Sequence, residues 1–149
     1  MKYFIYYSVS GNGDYIASIL QEKGYTPIRV EMVKPIKKVG FFTILKYGFR
    51  AGTNKKEKIK EINLDLNDDD LVVIGSPIWN DKLSTPINAL LSKYNFDKGM
   101  TKFILYPAGE GTKKSFIQLE KLGFEQKPII YSNPKKNPDK INEIIKELF

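Results

Sequence analysis

Phe4-Ile5-Tyr6-Tyr7-Ser8-Val9-Ser10-Gly11-Asn12-Gly13-Asp14-Tyr15-Ile16-Ala17 is the stretch on which the reading of this chain turns. It opens with an apolar, aromatic run, which suits a strand buried on both faces. After a few small polar residues, apolar side chains return at Ile16, Ile19 and Leu20 with the spacing of one helix face. A strand that enters a helix in this way leaves backbone N–H groups open at the helix N-terminus, where the helix dipole is positive. That end is suited to an anion, above all a phosphate. Ser8 and Ser10 add hydroxyl donors, and Gly11 and Gly13 let a ligand approach the backbone closely. The plainer alternative is a Ser/Gly turn that only caps a helix.

The composition narrows the chemistry. The 149 residues are the length of one ordinary domain, and no apolar run approaches the roughly 20 residues of a membrane span. The N-terminus enters a strand at once, without the pattern of a secretory leader, so a cytoplasmic location is expected. There is no cysteine and no histidine. Disulfides, thiol catalysis, thiolate or imidazole metal sites and His-based acid/base work are therefore excluded. Redox or transfer chemistry would have to come from a bound cofactor. The net charge of +7 is local: residues 34–60 carry nine lysines and arginines against Glu57 alone, an excess of +8, and the rest of the chain sums to −1.

Strands are expected at Lys2–Tyr7, Pro27–Met32, Leu71–Gly75, Thr101–Tyr106 and Pro128–Tyr131, the second near a sheet edge. Helices are expected over Asp14–Lys23, ended by Gly24, and within the aromatic stretch Phe41–Phe49. A third should start at Ser84 or Thr85 with Pro86 in its first turn. A fourth runs through Phe116, Leu119 and Leu122, and Asn137-Pro138 opens the last. Asp68-Asp69-Asp70 precedes a strand and reads as a solvated turn, not a metal site. Strands alternating with helices predict an α/β fold, a doubly wound five-stranded parallel sheet in three layers. In such a sheet ligands bind beyond the strand C-termini. For the order 2-1-3-4-5, the loops after the first, third and fourth strands would meet there.

The turn Ser8-Val9-Ser10-Gly11-Asn12 resembles the flavodoxin family, whose corresponding loop holds the phosphate of flavin mononucleotide (FMN). That family usually has Thr or Ser where Gly13 stands, so one side-chain donor is missing. Gly75-Ser76-Pro77-Ile78-Trp79, followed by Thr85-Pro86, is similar to the family's second flavin loop. The resemblance implies that Ser76, Pro77 and Ile78 approach the ribityl chain and that Trp79 stacks on the ring. A core role for this only tryptophan stands as the alternative. Asn80 and Asp81 take the place of a glycine-containing turn in many members. Pro107, Ala108, Gly109, Glu110 and Gly111 match the third flavin loop in position and glycine content, and would reach the pyrimidine edge of the ring. Glu110 and Asp81 would then place negative charge near the reduced ring and lower its potential. No stacking aromatic lies between Tyr106 and Phe116, so one ring face would be bare or covered by the basic segment. Leu45–Ala51 also looks like a helical stretch of a short-chain flavodoxin-like subgroup.

The expected function is that of an FMN-binding electron-transfer protein made of a single flavodoxin-like domain, with residues 34–60 docking an acidic redox partner. The alternatives are an FMN-dependent NAD(P)H:quinone or acceptor reductase, or a non-enzymatic docking module built on the basic segment. No side chain stands out as an acid/base catalyst, and a nucleic-acid partner is not expected.

Overall fold

In the computed structural model, residues 1–37, 40–52, 56–109 and 111–149 are described. The elements follow in chain order: β1 (Lys2–Tyr6), α1 (Asn12–Glu22), β2 (Thr26–Arg29), α2 (Phe41–Gly52), β3 (Leu71–Trp79), β4 (Lys82–Leu83), α3 (Thr85–Lys93), β5 (Lys102–Tyr106), α4 (Lys113–Lys121), β6 (Ile129–Ile130) and α5 (Ile141–Leu148). The sheet runs β2-β1-β3-β5-β6, all parallel, with β4 attached antiparallel to β3. Setting β4 aside, this is the expected order.

The alternation of strand side chains divides the core into two. Ile5, Ile74, Phe103 and Leu105 point to the face covered by Ile87 and Leu90 of α3 and Leu119 of α4. Phe4, Val73, Ile104 and Tyr106 point to the face covered by Ile16 and Leu20 of α1 and Ile144 and Leu148 of α5. Three layers result. No helix among the described residues is long and apolar enough to cross a membrane.

Four expectations need correction. β3 continues through Ser76, Pro77, Ile78 and Trp79, where a loop is expected. Ser-Pro and Asn-Asp read as turn signals, yet Pro77 still pairs in register with Tyr106. The actual turn is only Asn80 and Asp81, at φ 50° and 64°. Two consecutive left-handed residues make a tight hairpin that returns β4 onto β3, and Asn and Asp tolerate that geometry better than most. Next, Ser84 precedes α3 but forms no side-chain cap, because its hydroxyl lies 3.1 Å from that of Ser76. Asp70 is not a solvated residue: its carboxylate accepts the Asn67 amide at 2.9 Å and pairs with the N-terminal ammonium. These partners hold its carboxyl below the ordinary carboxylate range, the Asn67 amide contributing most. Lastly, Asn137-Pro138 opens a short 3-10 turn, and α5 starts at Ile141.

The basic segment leaves the sheet after β2, forms α2 and comes back along the chain beyond β2. Val33 donates to the Lys58 carbonyl and Lys60 to that of Glu31, both at 2.8 Å. Lys60 and Glu31 also form an ion pair at 2.7 Å. Lys38 and Lys55 lie outside the described residues.

Candidate functional site

The loop between β1 and α1 is held from behind. The Tyr106 hydroxyl donates to the Tyr7 carbonyl, and Arg29 Nη2 donates to the Ser8 carbonyl at 2.8 Å. Arg29 Nε also binds Asp14 at 3.1 Å, and the Tyr6 hydroxyl donates to the same carboxylate oxygen. Gly11 takes φ 87° at the helix N-cap, a left-handed geometry that glycine adopts without cost. Gly13 N donates to Ser8 Oγ at 3.1 Å. Among the described residues, the amides of Ser10, Gly11, Asn12 and Asp14 donate to no protein acceptor. The start of α1 is thus an open set of donors at the positive end of a helix.

The glycine at 13 has a packing reason. A Cβ there would lie 2.7 Å from the Tyr6 ring, 2.8 Å from the Tyr106 hydroxyl and 3.0 Å from Ser8 Cβ. The space that a serine or threonine would need is filled by two tyrosines. A cation stands nearby instead: Lys135, from the turn after β6, donates its amide to Asn12 Oδ1 at 3.3 Å and its Nζ to the Ser10 carbonyl at 3.4 Å.

From this loop a cleft of about 680 Å³ extends across the C-terminal ends of β1, β3 and β5. Ser8, Val9, Ser10 and Asn12 line one end, and Pro77, Ile78, Trp79 and Asn80 line another wall. Trp79 is half-buried. Its indole meets Tyr7 edge-on at 5.8 Å and Tyr47 at 5.5 Å with a 58° tilt. It packs on the core and also faces the cleft. The basic segment supplies Ile36, Thr43, Leu45, Tyr47, Gly48 and Phe49 as a further wall. Phe49 is 71% exposed, an unusual position for a phenylalanine unless it borders a binding cleft.

Other expected residues lie away from the cleft. Ser76 is fully buried and its hydroxyl serves the Pro77 carbonyl at 2.8 Å and the Ser84 amide at 3.2 Å, so it braces the hairpin from inside. Asp81 turns toward the third loop, where it accepts the Lys114 amide at 3.4 Å and lies beside Gly111. Of that loop's described residues, only Ala108 lines the cleft. Pro107 is buried and accepts the Asn133 amide, and Gly109 and Gly111 are exposed outside it. Glu110 lies outside the described residues. Gly11 and Gly13 shape the loop without forming the cleft wall.

Tyr47 and Tyr106 line the cleft, Tyr7 packs against Trp79 beside it, and these phenols stay protonated. Burial pushes Tyr7 up to about 12, with neighbouring Tyr47 adding to the effect. Tyr6, behind the loop, rises to about 12 through burial and its bond to Asp14. Burial also raises Tyr47, and fully enclosed Tyr106 lies far above the ordinary tyrosine value. None of these groups is suited to proton transfer near neutral pH.

The residues missed by sequence reasoning came from two sources. Tyr47 and its neighbours sit in a segment whose aromatic load was visible but whose position relative to the sheet was not. Lys135 is 125 residues from Ser10, and nothing local marks it.

Sheet order, layers and a cleft over the strand C-termini define a flavodoxin-like α/β fold. A flavoprotein from Lactobacillus acidophilus NCFM, crystallised in complex with FMN, superposes with a TM-score of 0.67 at 24% identity, covering 95% of this chain and 97% of that one. A Bacteroides eggerthii protein described as a candidate flavoprotein gives 0.72 at 17% identity, covering 99% and 96%. The apo-form of the flavoprotein from L. acidophilus, determined by NMR, gives 0.60 at 21%, covering 94% and 95%. No protein-family model matches the chain, and no curated protein matches it significantly.

Proposed function

We propose that this chain, acting as one flavodoxin-like domain, binds FMN non-covalently in the cleft and passes electrons between redox partners. The observation that carries the proposal is the continuity of the cleft: open amides beside a lysine at one end, an indole and a phenol at the other. The two ends match the two chemistries of the ligand, a dianionic phosphate and a large planar ring. A structural neighbour crystallised with FMN supports the same reading. The cleft volume is within the usual range for cofactor sites, about 300–1,000 Å³.

In this reading the amides of Ser10, Gly11, Asn12 and Asp14, with the Ser10 hydroxyl, hold the phosphate. Pro77 and Ile78 flank the ribityl chain, and Trp79 lies against the ring. Such aromatic contacts contribute roughly 0.5–1.5 kcal/mol beyond area burial. Tyr47 and Leu45 of α2 supply the cover that the third loop lacks. FMN brings one- or two-electron chemistry that a chain without cysteine or histidine does not have. In this reading the Asp81 carboxylate faces α4, where it accepts the Lys114 amide. The partner is an acidic protein drawn to the basic segment, and the setting is cytoplasmic.

The test is titration of the apoprotein with FMN, following Trp79 emission and flavin fluorescence. Both should be quenched, and Trp79→Ala should weaken binding while restoring the flavin signal. Undiminished affinity in Trp79→Ala would assign the indole to the core alone. Failure of FMN to bind the wild-type chain would end the proposal.

A further inference from the structure

A second depression lies between α3 and α4, on the outer surface of the layer they form. It has a volume of about 430 Å³, and Lys56, Lys82, Lys114 and Lys121 surround it. Its apolar part is formed by Leu91, Ile117 and Leu122. Ile117 is 42% and Leu122 43% exposed, so two aliphatic side chains stand in water among four cations. Among the described residues, Lys56, Lys114 and Lys121 enter no ion pair. The polar groups at the base are already matched, since Gln118 Nε2 donates to Asn88 Oδ1 at 2.6 Å and Gln118 Oε1 accepts the Leu83 amide at 3.2 Å. A small anion would therefore find no unsatisfied buried donor there. What remains open is an apolar floor with a cationic rim.

We propose that this groove docks an acidic segment of a partner protein, with carboxylates on Lys56, Lys82, Lys114 and Lys121 and an apolar side chain on Leu91, Ile117 and Leu122. Charge complementarity selects the sign of the partner and sets its approach. The exposed aliphatic floor selects protein over nucleic acid, because among the described residues no aromatic ring lines the groove for a base to stack on. The groove is close to the proposed cofactor cleft. Lys82 and Lys114 flank Asp81, whose neighbour Asn80 lines that cleft. A partner seated here would approach the cleft from its hairpin side, with Lys56 its contact on the basic segment. The surface is independent of the FMN reading, and its test does not require flavin.

The experiment uses the full chain labelled with nitrogen-15, titrated with a fluorescein-labelled peptide of alternating glutamate and leucine residues. Amide shifts should concentrate at Lys82, Lys114, Ile117 and Lys121, and fluorescence anisotropy should report binding that weakens as salt rises. The double variant Lys114→Glu/Lys121→Glu should bind on the order of tenfold more weakly and keep its affinity for FMN. Lys34→Glu/Lys37→Glu, on the basic segment, should change little. A peptide of glutamate alone should bind more weakly than the mixed one. Shifts confined to residues 34–52, equal binding by the Lys114/Lys121 variant, or tighter binding of a single-stranded oligonucleotide at the groove would each overturn the proposal. Absence of FMN binding alongside groove-centred shifts would refute the cofactor reading and leave this one standing.

Discussion

Replacing Gly13 by serine would restore the side-chain oxygen usual in flavodoxins at this point, yet the packing predicts a loss of stability. The new Cβ would stand 2.7 Å from the Tyr6 ring, about 0.7 Å inside the 3.4 Å at which ordinary contact begins. It would also meet the Tyr106 hydroxyl at 2.8 Å. Neither neighbour is free to yield. Tyr6 is 6% and Tyr106 3% exposed, and their hydroxyls are bonded to Asp14 and the Tyr7 carbonyl. Overpacking a tight site costs about 1–3 kcal/mol, and the better helix propensity of serine over glycine returns roughly 0.5. The expected net loss is about 0.5–2.5 kcal/mol, which lowers Tm by roughly 1–10 °C in a chain of this size. Urea unfolding of the apoprotein measures it directly. The Tyr106→Phe background removes one obstructing atom, so Gly13→Ser should cost at least about 0.5 kcal/mol less there. Unchanged or increased stability, together with tighter FMN binding, would show that the site has room for a side chain and that the packing explanation is wrong.

Lys135→Met should weaken FMN binding roughly two- to fivefold, the range for one exposed ion pair, and leave riboflavin affinity unaltered. Equal losses for both ligands would remove the phosphate from the explanation. Gly75→Ala should destabilise by about 1–3 kcal/mol, because its Cβ would lie 2.6 Å from the fully buried Phe4 ring; a neutral result in urea would mean that the sheet shifts to admit it. The phenols of Tyr6 and Tyr7 sit at about 12, above the ordinary 10.0. Their protonated forms thus stabilise the fold fully below pH 10, and that contribution disappears as pH rises through 12. Urea midpoints that stay level through this window, while phenolate absorbance grows, would contradict the assignment.

Much of the architecture was legible because its signals are local. Phe4 and Ile5 on opposite faces, and Ile16 and Leu20 on one helix stripe, follow from periods of two and 3.6. The open loop at the head of α1 was also readable, since small residues between a strand and a helix have few other uses. The place of Ser76 is not legible because Ser-Pro signals a turn, whereas the hairpin beyond it extends the strand and turns its hydroxyl inward. The direction of the Asp81 side chain is not legible for a related reason: in a two-residue turn it depends on left-handed geometry that composition does not specify. Tyr47 reaches the cleft, and Lys135 the loop beside it, through long crossovers, and only the assembled sheet places them there.

The two carbonyls at the back of the β1–α1 loop have a consequence for the kinetics of capture. With Tyr7 tied to a phenol and Ser8 to a guanidinium, neither oxygen can swing forward to repel an incoming anion. The loop should therefore keep one shape before and after loading, and little ordering entropy remains to oppose association. Uptake should proceed in a single fast phase, governed by encounter rather than by a rearrangement of the receptor.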